Sequence, residues 1–165
     1  MVLAALMTAL ICLFSQIAVP VGMANMTMQT FIVALAGYVL GVREALMTVG
    51  AYLLLGGCGL PVFSGFAGGI GILLGPTGGF LIGFPGMASV CAHFNGKGCG
   101  VRRCAGFAGL AAVYAAGAAW MAVSAGMSFG GAVMAGVVPF VWKDVLSILG
   151  AEWLGRKMRR RGIGR

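Results

Sequence analysis

Long apolar runs, broken by glycine, proline or charge, predict six helices at residues 2–18, 28–42, 45–57, 77–93, 104–125 and 135–155. Several are shorter than the ~20 residues that a hydrocarbon core asks for. That is expected of Gly-interrupted spans that line an internal cavity. Between the third and fourth runs, the uncharged segment from Gly59 to Phe80 is too rich in glycine to continue either helix. Irregular backbone persists at membrane depth only where protein or a water-filled cavity shields it. The segment is therefore expected to be a lid or wall over an outer pocket, or else a tightly packed re-entrant turn. The fold class expected is an all-α integral membrane protein, a bundle of six transmembrane helices with a Gly-rich outer loop between helices three and four. Residues 1–155 would form this single domain, followed by a basic cytoplasmic tail at 156–165.

Composition agrees with a membrane setting. The 165 residues are 61% hydrophobic and 8% charged, with a mean hydropathy of +1.04, against about 45–50% apolar and about 25% charged in soluble domains. The net charge of +8 lies in particular links. Arg43 follows the second helix, Lys97, Arg102 and Arg103 join the fourth to the fifth, and Arg156, Lys157, Arg159, Arg160, Arg161 and Arg165 end the chain. The links at 19–27, 58–76 and 126–134 hold no Lys or Arg. That alternation places both termini in the cytoplasm. The basic tail reads as an anchor facing anionic lipid rather than a nucleic-acid arm. A competing reading makes the first run a cleaved signal peptide, with a small-residue site near Met23-Ala24-Asn25, but the run begins with no Lys or Arg. The first helix starts almost at Met1, as it would if a few residues preceded it.

Most enzyme chemistries lack their residues. No GxxxxGK[ST] and no GxGxxG in a βαβ setting is present, so any nucleotide would be hydrolysed by another subunit. His93 is the one histidine, and Glu44, Asp144 and Glu152 are the three acids, which leaves Asp144 without a second aspartate. Five cysteines read as buried free thiols, and Cys91, His93, Cys99 and Cys104 lack the CxxC spacing of a zinc site, so no metal or cofactor is expected. A channel would ring its pore with polar groups from several helices. Here polarity concentrates at Lys143-Asp144, flanked by Val137-Val138-Pro139-Phe140-Val141-Trp142 and Val145-Leu146. A charge at the bilayer centre costs about 2.5–3.5 kcal/mol on insertion scales, and such residues tend to be functional. Glu152 has Arg156 one turn away as a partner. The Lys143-Asp144 pair is therefore the candidate ligand site.

At the Gly-rich segment the chain resembles a known family. Gly59-Leu60-Pro61-Val62-Phe63, Gly68-Gly69 and Leu74-Gly75-Pro76-Thr77-Gly78-Gly79-Phe80-Leu81-Ile82-Gly83-Phe84 resemble the signature of the BioY family, the biotin-binding S components of energy-coupling-factor (ECF) transporters. Met26-Thr27-Met28-Gln29 is similar to its M-T-L-Q, Tyr114, Gly117 and Trp120 to its Y-x-x-G-x-x-W, and Pro139-Phe140 with Asp144 to its P-F-x-P-G-D-L-x-K. The resemblance implies biotin uptake across the bacterial plasma membrane by a multi-pass subunit without enzyme activity of its own. It implies as partners a transmembrane coupling protein and two ABC-type ATPase subunits, which alone would hydrolyse ATP. Two other readings compete: a solitary biotin transporter acting without that module, and a small membrane channel or structural protein.

The family's acidic ligand residue maps onto Asp144, whose carboxylate suits the N–H donors of a cyclic urea. Lys143 stands where the family has Gly, and Ser147 where it has Lys. The two lie one turn apart on one helix face, so Lys143 is expected to supply the missing ammonium. Gln29 is a further expected contact, although Asn25 replaces the family's Pro before that motif. Thr77, Gly78 and Gly79, opening the fourth helix, are expected to receive the valeryl carboxylate, with Gly68 in the covering segment. Phe63, Phe66, Phe80, Tyr114 and Trp142 are candidate apolar walls. Ala5 and Ala9, four apart on helix one, form a small-xxx-small patch that resembles the family's docking surface for the coupling protein.

Overall fold

A computed structural model describes residues 1–21 and 24–164. Met23 of the alternative cleavage site and Arg165 of the tail lie outside the described residues. In place of the six predicted helices, the described residues form eight helical segments: α1 Val2–Ser15, α2 Gln29–Val39, α3 Val42–Gly57, α4 Ile70–Leu74, α5 Gly78–His93, α6 Cys99–Ser124, α7 Phe129–Gly136 and α8 Val141–Arg160. Two short strands, β1 Ala18–Val21 and β2 Ala24–Thr27, form an antiparallel hairpin with Ala18 opposite Thr27.

The central element is α2. From Ile32 through Val39 it is buried on every side, as an all-apolar helix must be. It packs against α1, α5 and α8, while α5 and α6 form the most extensive helix pair. Small residues let these two helices approach closely. A Cβ on Gly79 would strike Trp120, one on Gly117 would strike the Phe80 ring, and Gly83 and Gly109 lie against Val113 and Met87. Outward faces carry Leu6, Leu13, Leu54, Ile82, Val123, Leu146 and Trp153, all exposed. Apolar exposure of that breadth fits contact with lipid tails rather than water.

Several boundaries differ from the sequence reading: α1 and α2 end three residues early, α3 starts at Val42 and takes in Arg43, α4 lies in the expected loop, and three further differences have a clear physical reason. The predicted helix at 135–155 begins only at Val141, as α8, while the expected link at 126–134 holds most of a separate helix, α7, and the two are bent by 57°. Pro139 falls in the break, where it removes a donor and crowds the preceding turn. Ser128 caps α7 by accepting the Gly131 N–H at 3.2 Å. Next, α6 starts at Cys99 rather than 104, winding Arg102 and Arg103 into its first turns. Last, α8 runs to Arg160, so the basic tail begins as helix. Lys157, Arg159 and Arg160 are favourable at a helix C-terminus, where the macrodipole is negative. Among the described residues, α6 is by length and composition the one helix that is a candidate membrane span, and α7 with α8 make a second if the bent pair is counted as one.

The Gly-rich segment is a packed loop from Gly59 to Gly69, braced from α1, and continues into the short helix α4. Phe63 and Ala67 pair backbone to backbone, the Phe63 N–H donating to Ala67 O at 2.9 Å. Gln16 clamps the turn from both sides: Nε2 donates to Phe63 O at 3.1 Å, and Oε1 accepts the Phe66 N–H at 2.8 Å. Ser15 Oγ donates to Val62 O. Gly56 on α3 is required here, because any Cβ would overlap the Phe63 ring.

Candidate functional site

The cation-free links meet at one end of the bundle. Ala24 of β2 packs with Met127 and Ala132 around α7, and Asn25 Nδ2 donates to Ser64 Oγ at 2.9 Å, joining the hairpin to the Gly-rich loop. Beneath them lies a cavity of about 230 Å³. Phe63, Phe80, Phe84, Leu110, Val113 and Phe140 make its apolar wall. Thr27, Gln29, Thr77, Tyr114, Lys143 and Asp144 bring polar atoms to it. A mostly apolar concavity with a few convergent polar groups is the usual form of a small-molecule site.

Asp144 is the electrostatic centre. It occupies the first turn of α8, where a carboxylate is favoured by the helix dipole, and it is 4% exposed. The Tyr114 hydroxyl donates to its Oδ2 at 2.6 Å, and the Lys143 ammonium forms an ion pair with Oδ1. Lys143 Nζ also donates to Thr27 O at 2.6 Å. One ammonium therefore ties the hairpin strand β2 to α8 across the cavity. A second chain starts at the Thr27 hydroxyl, which donates to Gln29 Oε1 at 2.7 Å, while Gln29 Nε2 donates to the Tyr52 hydroxyl. Tyr52 in turn meets Phe63 edge to face, with ring centroids 5.4 Å apart.

The candidate residues divide. Asp144, Lys143, Gln29, Thr77, Phe63 and Tyr114 all line the cavity. Ser147 does not; its hydroxyl donates back to Lys143 O at 2.9 Å within α8. Gly68, Gly78 and Gly79 are packing positions rather than cavity walls. A Cβ would drive Gly68 into Leu60 O, Gly78 into Leu73 O and Gly79 into Trp120. The first turn of α5 is also partly occupied, since the Gly78 N–H donates to Gly75 O at 3.0 Å and the Phe80 N–H to Thr77 O at 3.2 Å. Among the proposed aromatic walls, Phe66 and Trp142 point outward, 72% and 61% exposed. Ala5 and Ala9 are exposed on α1, opposite the face that packs through Ala4, Met7, Thr8 and Ile11.

The spacing of Tyr114, Gly117 and Trp120 has a structural account. Tyr114 holds Asp144, Gly117 admits the Phe80 ring, and Trp120 Nε1 donates to Gly75 O at 3.0 Å, pinning the loop before α5. Sequence reasoning missed Thr27, Asn25 and Ser64 as site elements, because the hairpin that presents the first two was read as an unstructured link.

The fold and cavity define a mostly helical protein with a lipid-compatible exterior and a small chamber that has a buried carboxylate in its wall. The BioY family model matches residues 1–163, and the chain belongs to that family. It is 38% identical over 157 residues to the probable biotin transporter BioY of Pyrococcus horikoshii, covering 95% of this chain and 94% of that one. It is 36% identical over 164 residues to the biotin transporter BioY of Thermotoga maritima, covering 98% and 96%. Its fold matches the crystal structure of the S-component for biotin from an ECF-type ABC transporter, with a TM-score of 0.90 at 23% identity, over 99% of this chain and 94% of the other.

Proposed function

We propose that this protein is the biotin-capturing subunit of an ECF-type vitamin transporter, a multi-pass protein of the bacterial plasma membrane with its cavity toward the outside. One observation carries the reading: a carboxylate, Asp144, is buried at the wall of a small apolar chamber and is held by Tyr114 and Lys143. The cyclic urea of biotin offers N–H donors to that carboxylate and a carbonyl oxygen to the ammonium. The thioether ring suits the Phe63, Phe80 and Phe84 walls, where apolar burial supplies affinity. The valeryl tail runs toward Thr77. Retention of tritiated biotin by the purified protein tests the proposal. A saturable, stoichiometric complex with unaltered biotin is expected, and an intact sample that retains none overturns it.

Lys143 acts on the ligand as well as on its neighbour. Replacing it with Ala is expected to weaken biotin binding by about tenfold or more, the size of one charge-assisted hydrogen bond. Equal affinity in Lys143→Ala and the unaltered chain would reduce Lys143 to neutralising Asp144.

The exposed Ala5 and Ala9 form the surface against which the coupling protein packs, and two ABC-type ATPases power release inward. Close approach of a partner helix needs these small side chains. Ala9→Trp is expected to abolish co-purification with the coupling protein while biotin retention stays unchanged. Loss of both together would indicate misfolding, and co-purification retained by Ala9→Trp would count against a docking role.

A further inference from the structure

The opposite end of the bundle carries a second cavity, of about 370 Å³, built from cations. Lys97 and Asn95 reach it from the α5–α6 connection, Arg102 from α6, and Arg156, Arg159 and Arg160 from α8. The acid facing this group is Glu152, shared among Arg102 at 3.8 Å, Arg103 at 3.6 Å and Arg156 at 3.5 Å. Five cations thus surround the opening against one carboxylate set behind it. Arg159 is positioned by its guanidinium donating to Asn95 O, and Asn95 Nδ2 donates to Leu40 O at 2.8 Å, which fixes the connection to α2.

Arg102 shows that this is more than a scattering of surface charge. It is 5% exposed, yet its Nε and Nη2 have no hydrogen-bond partner. Its guanidinium is oriented from behind, 5.2 Å above the Tyr38 ring, while the Tyr38 hydroxyl donates to Arg102 O at 3.0 Å. Buried N–H donors left without an acceptor are costly and rare. An anion with several acceptor oxygens would satisfy them. A single carboxylate occupies one guanidinium fork, whereas a phosphate presents oxygens in several directions and matches cations converging from two helices and a turn.

We infer that this cavity is a phosphate-binding site, occupied either by the phosphate of an anionic phospholipid headgroup or by a free phosphate. Arg102 holds the anion from inside, and Lys97 and Arg160 close over it from the surface. The site is separate from the vitamin chamber, lying near the other end of α8, about 20 Å along the helix from Asp144 at 1.5 Å per residue.

The test uses the full chain in phosphatidylcholine nanodiscs with and without cardiolipin, and in detergent titrated with inorganic phosphate. Lipid retention is read by native mass spectrometry and phosphate binding by thermal shift. Since Arg102→Gln risks misfolding, the working variant is Lys97→Gln with Arg160→Gln, two exposed positions. The control is Lys157→Gln with Arg161→Gln, which removes equal charge outside the cavity lining. Selective cardiolipin retention or a saturable phosphate shift supports the site, and the responding arm names the source. The working variant should weaken that response by roughly fivefold for each cation removed, with biotin retention intact. No response in either arm, or equal weakening by the control, overturns the inference.

Discussion

Asp144→Ala is expected to lower biotin affinity by about a hundredfold or more, the largest loss of capture from any single substitution in this chain. Two effects combine. The ligand loses its charged acceptor, and hydrogen bonds to charged groups contribute about 1.5–3 kcal/mol each. The Lys143 ammonium, whose side chain is 11% exposed, also loses its counter-ion and keeps only the Thr27 carbonyl. Removing one member of a buried ion pair typically costs about 3–5 kcal/mol. Asp144→Asn separates charge from shape, since it retains an acceptor for the Tyr114 hydroxyl but cannot neutralise Lys143. It should lose most of the affinity as well. Titration calorimetry on a monodisperse sample checks both, and near-normal affinity in Asp144→Asn would show that shape rather than charge sets recognition.

Glu152→Ala should have the largest effect on stability, about 3–5 kcal/mol. Glu152 is fully buried, and its carboxylate is the shared partner of three arginines. Without it, Arg102 remains 5% exposed beside Arg103 and Arg156 with nothing to balance them. The temperature at which biotin retention is half lost should fall by roughly 10 °C. Arg103→Gln is the contrast, because that side chain is 47% exposed and a solvent-reachable pair contributes about 0–1 kcal/mol. Equal losses in the two variants would show that the network acts as surface charge and not as a buried clamp between α6 and α8.

Periodicity and breakers located the long helices, with the ends of α6 and α8 displaced by about a turn and a half, because an apolar run in lipid has few alternatives to helix. The polar pair at 143–144 was legible for the same reason: charge in an apolar run needs a partner. The errors share a cause. Arg102 and Arg103 read as loop residues, since the acid that neutralises them is about fifty positions away on α8 and invisible locally. The hairpin was missed although Val19 and Val21 are β-branched, because each strand has four residues and the segment was read as the link between the first two helices. Gly68, Gly78 and Gly79 were expected at the ligand, and each is also a position where packing against Leu60, Leu73 or Trp120 leaves no room for a Cβ.

Hydropathy and charge order along the chain determined the helical class, the membrane setting expected of it, and the Lys143-Asp144 pair as charge set within an apolar run. These follow from the cost of exposing polar backbone or unpaired charge to hydrocarbon, a cost each segment carries by itself. Which side chains share a cavity, which glycines make room for rings, and which cations meet Glu152 were decided only by the packing of distant elements. Such pairings arise between side chains far apart in sequence, and no local pattern records them.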